Sequence, residues 1–242
     1  ESLNAENLTE QDSHPGYKKK QLHPKTPIEL LTNKTFNIDL MAYLWLCVEH
    51  GKSGIIAGGT YDGKTTTMNA IGMFIPSTKY IVSIEDSYNE IKLPQKNWIS
   101  QTFGSENDSD SDNQIDGIDL IEDALRKSAT HIIYGEMFGQ EMQNLAQTIR
   151  TGHTVYTTFH ANSAKMVHNR VTSDPIELSD DEFAAFDFII TQDTIEQNGK
   201  QTRRCISVDE ITHSVNEGLQ MNTTATYNNK TDTIESSILS DE

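Results

Sequence analysis

Short apolar runs alternate with amphipathic stretches through the middle of this chain. Residues 53–57 (Ser-Gly-Ile-Ile-Ala) form an apolar run of strand length, and 65–74 behind them read as a helix. The alternation then repeats. Residues 79–84 read as a buried strand ending in Glu85-Asp86, and 97–102 as another. Residues 119–128 form an amphipathic helix, and 131–134 a buried strand ending in Gly135-Glu136. A helix over 140–150, a strand over 154–158 and a helix over 163–171 follow. Upstream, Thr26-Pro27 opens a short helix to Leu31, with Pro at its first position. A second helix over 39–50 is stopped by Gly51. Residues 188–196 and 200–208 flank Asn198-Gly199, a strong hairpin signal. Strand alternating with helix predicts an α/β sheet with helices on its faces, closed on one side by a hairpin.

This pattern divides the chain into three parts. Residues 1–24 are polar and predict an irregular lead-in, 25–215 predict the folded domain, and 216–242 predict a disordered acidic tail. A first residue that is Glu rather than Met suggests a fragment. Within 104–116, Asp108, Asp110 and Asp112 have the early spacing of a calcium loop. Position six is Asn113 rather than Gly, however, and position twelve is Asp119 rather than Glu, so a solvated loop is expected.

Composition narrows the function. Thirty-six acidic residues against 19 basic ones give a net charge of −17, with no basic stripe to neutralise phosphates, which argues against nucleic acid as a partner. No apolar run approaches the length of a membrane span. Cys47 and Cys205 lack the spacing of a metal or redox site and read as reduced core residues.

The candidate chemistry starts at Gly58-Gly59-Thr60-Tyr61-Asp62-Gly63-Lys64-Thr65, which satisfies G-x-x-x-x-G-K-[ST] between a strand and a helix. Glycines let backbone N–H groups turn inward around a phosphate, and the helix N-terminus adds partial positive charge. Lys64 would reach the β- and γ-phosphates of a nucleoside triphosphate, and the Thr65 hydroxyl would ligate magnesium. Other strand ends carry Glu85-Asp86, Glu136 and His160, and in such sheets ligands gather at the carboxyl ends of the strands. Glu136 is the candidate to polarise water, and Glu85 or Asp86 to hold magnesium. His153 and His160 flank a strand and are candidates to sense the γ-phosphate.

These residues resemble the secretion and pilus assembly ATPases, in particular the archaellum and type IV pilus motors of salt-loving archaea. Ala57-Gly58-Gly59-Thr60 with Gly63-Lys64-Thr65-Thr66-Thr67 resembles the family's Walker A. Ser83-Ile84-Glu85-Asp86, with Leu93-Pro94 and Asn97-Trp98-Ile99, resembles its Asp box. Ile132-Ile133-Tyr134-Gly135-Glu136 resembles Walker B. Thr151-Gly152-His153-Thr154 with Tyr156-Thr157-Thr158-Phe159-His160-Ala161 resembles the His box. Met41-Ala42-Tyr43-Leu44-Trp45-Leu46 and Val48-Glu49-His50-Gly51 resemble the helix before Walker A. The resemblance implies a RecA-like P-loop domain that binds ATP and Mg2+ through Gly58, Gly59, Thr60, Gly63, Lys64, Thr65 and Thr66. It implies Glu136, Glu85 and His160 as catalytic residues, and Thr65 and Glu85 at the metal. It also implies a homo-hexamer at the cytoplasmic face of a membrane, not itself membrane-spanning. That ring docks on a polytopic platform protein and drives pilin assembly or protein export. The resemblance also leads to the expectation that the family's separate N-terminal domain is largely absent, with 1–24 as a remnant of its linker.

Four residues depart from the family pattern. Tyr61 and Asp62 replace small residues of the loop. A carboxylate ~5 Å from a phosphate charge costs about 3 kcal/mol at an effective dielectric of ~20. Phe103 and Phe138 stand where the family has Arg, and Phe cannot offer a planar cationic fork. Arg is scarce, 5 against 14 Lys. Two alternatives follow: a catalytically impaired pseudo-ATPase serving as a structural ring subunit, and an unrelated kinase or GTPase. The resemblance in the His box and Gly135-Glu136 argue against the latter, as does the lack of a guanine-reading Asn-Lys-x-Asp.

Overall fold

The computed structural model describes residues 24–86, 90–103, 116–137, 139–197, 199–214 and 216–237. Its helices are α1 (Pro27–Thr32), α2 (Ile38–Glu49), α3 (Lys64–Gly72), α4 (Gly117–Arg126), α5 (Glu141–Arg150), α6 (Ala164–Val171) and α7 (Asp180–Phe183). Its strands are β1 (Gly54–Gly58), β2 (Ile81–Glu85), β3 (Trp98–Thr102), β4 (His131–Glu136), β5 (Thr154–Phe159), β6 (Phe188–Gln197), β7 (Lys200–Ser214), β8 (Gly218–Asn228) and β9 (Thr233–Ser236). The calcium-like spacing at Asp108, Asp110, Asp112 and Asn113 lies outside the described residues, as does Phe138. Asp119, its twelfth position, instead closes a capping box with Asp116 at the start of α4.

One nine-stranded sheet runs in the order β3-β2-β4-β5-β1-β6-β7-β8-β9. The pairs from β3 to β6 are parallel, and those from β6 to β9 antiparallel. Successive side chains of a strand point to opposite faces, and here both faces are apolar. Ile55, Ile132, Val155 and Ile189 enter one core with α4, α5 and α6. Their neighbours Ile56, Ile133, Tyr156 and Ile190 enter a second core with α1, α2 and α3. Continuous apolar runs are what a parallel sheet buried on both faces requires. The chain leaves β5 and crosses over β1 to β6, so the carboxyl end of β1 lies at a switch in strand order, where open α/β sheets bind ligands.

The tail expectation fails: β8 and β9 occupy most of the segment predicted to be disordered, and the folded domain extends past 215 to 237. Ala225 is buried, Leu219 and Met221 pack on the first core, and Ile234 packs on the second. The β7–β8 register shifts between Val208↔Ala225 and Asp209↔Thr223, so Thr224 is an extra residue. A bulge of this kind flips the faces of the residues beyond it. Leu219 and Ala225, of equal parity, therefore serve opposite cores. Arg204 is buried, and its Nε and Nη2 donate to Asp232 at 2.9 and 3.3 Å, while Nη1 donates to the Asn33 carbonyl at 3.1 Å. This pair pins the β8–β9 turn to the turn after α1. Both cysteines are free; Cys205 is buried and Cys47 half-buried.

His131, at the amino end of β4, is buried, and burial pushes its imidazole down to about 4 from 6.5, with Lys79 adding to the shift. The folded state keeps this ring neutral while the unfolded chain takes up a proton below its ordinary value. Stability should therefore fall as pH drops from about 6.5 towards 4, by at most ~3 kcal/mol from this group. Urea unfolding of the parent and His131→Gln across that range checks it. The variant should show the shallower loss, and parallel curves would count against the assignment.

Candidate functional site

The phosphate loop leaves β1 at Gly58, whose backbone lies so close to β6 that a Cβ there would sit 2.8 Å from the Gln192 carbonyl oxygen. Gly63 ends the loop at φ +97 and makes no side-chain cap, leaving the first N–H groups of α3 exposed to a ligand. Tyr61 holds φ +71, a left-handed conformation in which a non-glycine residue is strained. Gly59 and Thr60 are exposed, and Thr65 and Thr66 are half-buried on the first turn of α3.

The structure corrects the expectation that Asp62 faces the phosphates. Its carboxylate accepts from the Gly59 N–H at 2.6 Å and from the Thr194 hydroxyl at 2.8 Å, and the residue is buried. Asp62 thus ties the loop to β6. Removing it leaves two donors without their acceptor, so Asp62→Ser should lower unfolding free energy by roughly 1–3 kcal/mol in urea titrations. An unchanged midpoint would restore the outward orientation.

Lys64 is buried, with Nζ 2.7 Å from the Gly59 carbonyl and 3.9 Å from Glu136 Oε1. His160 Nε2 meets the same Glu136 oxygen at 2.5 Å. The carboxyl ends of β1, β4 and β5 therefore bring Lys64, Glu136 and His160 together. Gly135 is the extra residue where the β4–β5 register slips between Tyr134↔Thr157 and Glu136↔Thr158, and that bulge aims Glu136. A Cβ on Gly135 would sit 3.3 Å from Glu85 Cγ, so the glycine also makes room for that side chain.

Glu85 is buried at the end of β2. Its Oε1 accepts from the N–H groups of Glu90 and Ile91 at 2.7 and 2.8 Å, and Oε2 has no partner among the described residues. Burial raises its pKa above the ordinary carboxylate value, against the lowering effect of the two N–H donors. A hard cation beside Oε2 would reverse that. Among the described residues no group of three His, Cys, Asp or Glu could hold a metal alone. Thr65 and Glu85 are hard oxygen donors of the kind magnesium shares with water and substrate phosphates.

Two other candidates lie elsewhere. His153 sits before β5, at its amino end, with Nδ1 near Thr151 Oγ1 (3.1 Å) and the Thr148 carbonyl (3.3 Å). The length of β5, at ~3.3 Å per residue, separates it from His160. Phe103 stacks on Tyr134 with ring centroids 6.1 Å apart and packs on the first core. An Arg there would lose that packing. Sequence reasoning passed over Thr194 and also Arg203, whose Nε donates to the Tyr61 carbonyl at 2.7 Å. The contiguous Arg203-Arg204, in a chain poor in Arg, was the available signal. It also passed over Arg170, which donates to the His160 carbonyl. A cleft of about 370 Å³ opens beside Gly63 and Thr66, walled by Thr35, Gln192 and Arg203.

Fold and site together define a P-loop α/β domain with a mostly parallel sheet. The family model for type II/IV secretion system proteins matches residues 28–239, and the chain belongs to that family. It is 36% identical over 189 residues to the uncharacterized protein MJ1287 of Methanocaldococcus jannaschii, covering 76% of this chain and 68% of that one. It is also 36% identical over 132 residues to the type IV secretion system protein PtlH of Bordetella pertussis, covering 54% and 38%. Against the uncharacterized M. jannaschii protein MJ0900, also 36% identical, the match covers 78% of this chain and 34% of the relative, so it spans only part of several relatives. The solved VirB11 ATPase of the Brucella suis type IV secretion system, in complex with sulphate, aligns with a TM-score of 0.60 at 24% identity, over 81% of this chain and 60% of that one. The pilus retraction motor PilT with bound ADP aligns at 0.56 and 22%, over 84% and 54%. These likenesses establish the RecA-like fold. No helix among the described residues is long and apolar enough to cross a membrane.

Proposed function

We propose that this chain is the ATP-hydrolysing motor domain of a type II/IV secretion or pilus-assembly machine. The convergence of Lys64, Glu136 and His160 beside the phosphate loop carries the reading. Lys64 is balanced by Glu136 and the Gly59 carbonyl, a pairing that a triphosphate can exchange for its own oxygens. Transfer of the ammonium to the phosphates frees the Glu136 carboxylate to orient water and accept its proton. His160, held to the same carboxylate, positions it. Magnesium, held by Thr65, Glu85 and the substrate, would neutralise charge developing on the phosphates. The inward orientation of Asp62 removes one of the features that favoured a structural subunit without turnover.

Assembly as a homo-hexamer at the inner face of a membrane, on a polytopic platform protein, is the architecture we propose for it. PtlH and VirB11, type IV secretion system proteins by name, support that placement. The test is ATP titration by calorimetry with magnesium in molar salt. Lys64→Ala should weaken binding by at least about 100-fold, since two or more charge-assisted hydrogen bonds are lost. Equal affinity in both proteins would sink the nucleotide assignment.

A further inference from the structure

We propose that Arg203 is a nucleotide-binding residue that contacts the phosphate chain on its nucleoside side; this rests on the ATP-binding reading above. Three observations meet at this side chain. First, it crosses the turn of the loop: Nε is fixed 2.7 Å from the Tyr61 carbonyl, and Cδ lies 2.9 Å from where a Cβ on Gly63 would stand. That places the guanidinium beside the N-terminus of α3, where backbone N–H groups already favour an anion. Second, beyond that Nε bond the Arg203 side chain makes no hydrogen bond and no ion pair among the described residues. In a chain of net charge −17, Arg204 next to it is bound by Asp232 and Asn33, Arg126 by Glu122 and Arg170 by the His160 carbonyl. Third, the 370 Å³ cleft runs from Gly63 and Thr66 past Arg203 to Gln192 and Thr35, a volume within the range of small-ligand sites. A nucleotide with its terminal phosphates at Lys64 and its sugar and base in this cleft must pass the guanidinium at the inner phosphate. A planar fork whose Nη donors have no partner among the described residues is suited to that contact, and the Nε bond to Tyr61 holds it in place beforehand.

The competing role is a strut that only steadies the strained Tyr61. Calorimetric titration of ATP, ADP and inorganic tripolyphosphate into the parent, Arg203→Gln and Arg203→Lys, at two salt concentrations, separates the two. We expect Arg203→Gln to weaken all three ligands by roughly 10- to 100-fold and to flatten the salt dependence, because one screened charge is lost. Arg203→Lys should recover part of the affinity. Loss for ATP and ADP with tripolyphosphate unchanged would mean a base or sugar contact and overturn the proposal. Equal impairment of both variants with an unchanged salt slope would mean a strut and overturn it too. Should Arg203→Gln bind like the parent while Lys64→Ala does not, this inference alone falls. If the parent binds none of the three, the nucleotide reading falls with it.

Discussion

Glu136→Gln should leave ATP affinity within about threefold of the parent and lower phosphate release by at least about 100-fold, the range expected when a positioned general base is removed. The amide keeps the shape of the carboxylate and can still meet His160, whose Nε2 lies 2.5 Å from Glu136 Oε1. It cannot take a proton from water. Binding should change little because Lys64, the principal cation of the loop, is intact and can still exchange its contact to the Gly59 carbonyl, 2.7 Å in this structure, for phosphate oxygens. Any shift should be towards tighter binding, since one negative charge leaves the neighbourhood of the phosphates. Initial rates and calorimetry on the same preparation check both halves. Turnover within about fivefold of the parent would exclude Glu136 as the base. A parent that binds ATP through Lys64 but releases no phosphate as an assembled ring would point to the structural-subunit alternative.

The parts of the site that were legible in the sequence are those written locally. The loop from Gly58 to Thr65 is legible because the glycines, Lys and Thr must be contiguous to wrap one phosphate group. The strands before Glu85, Glu136 and His160 are legible because a two-faced buried strand leaves an uninterrupted apolar run. What was not legible depends on contacts distant in sequence. The direction of Asp62 is set by Thr194 on β6, 132 residues away, together with the nearby Gly59 N–H. Arg203 reaches the loop only because β7 folds back against β6. His153 looked like a partner of His160 because both flank β5, but a strand separates its two ends rather than joining them.

Deleting residues 216–242 should destabilise the domain by several kcal/mol, the reverse of what the polar composition of this segment suggests. The segment looked disordered because it is polar and acidic overall, although Leu219, Met221, Ala225 and Tyr227 recur at strand spacing. Its removal uncovers the β7 edge along the register from Ser207 to Ser214, which invites pairing with another chain. It also strips Ala225, Leu219, Met221 and Ile234 from the two cores. The deleted segment also supplies Asp232, the partner of Arg204, which is buried in the intact domain. Breaking one side of a buried ion pair costs about 3–5 kcal/mol, because the remaining charge is uncompensated. Asp232→Ala isolates that term, since it keeps β8 and β9 but orphans the guanidinium. The double variant Arg204→Met with Asp232→Ala should recover much of the loss, because no unpaired charge then remains. Urea unfolding of the four proteins reads each step. If the truncation or Asp232→Ala shifts stability by less than about 1 kcal/mol, the final strands and their ion pair do not hold the domain together.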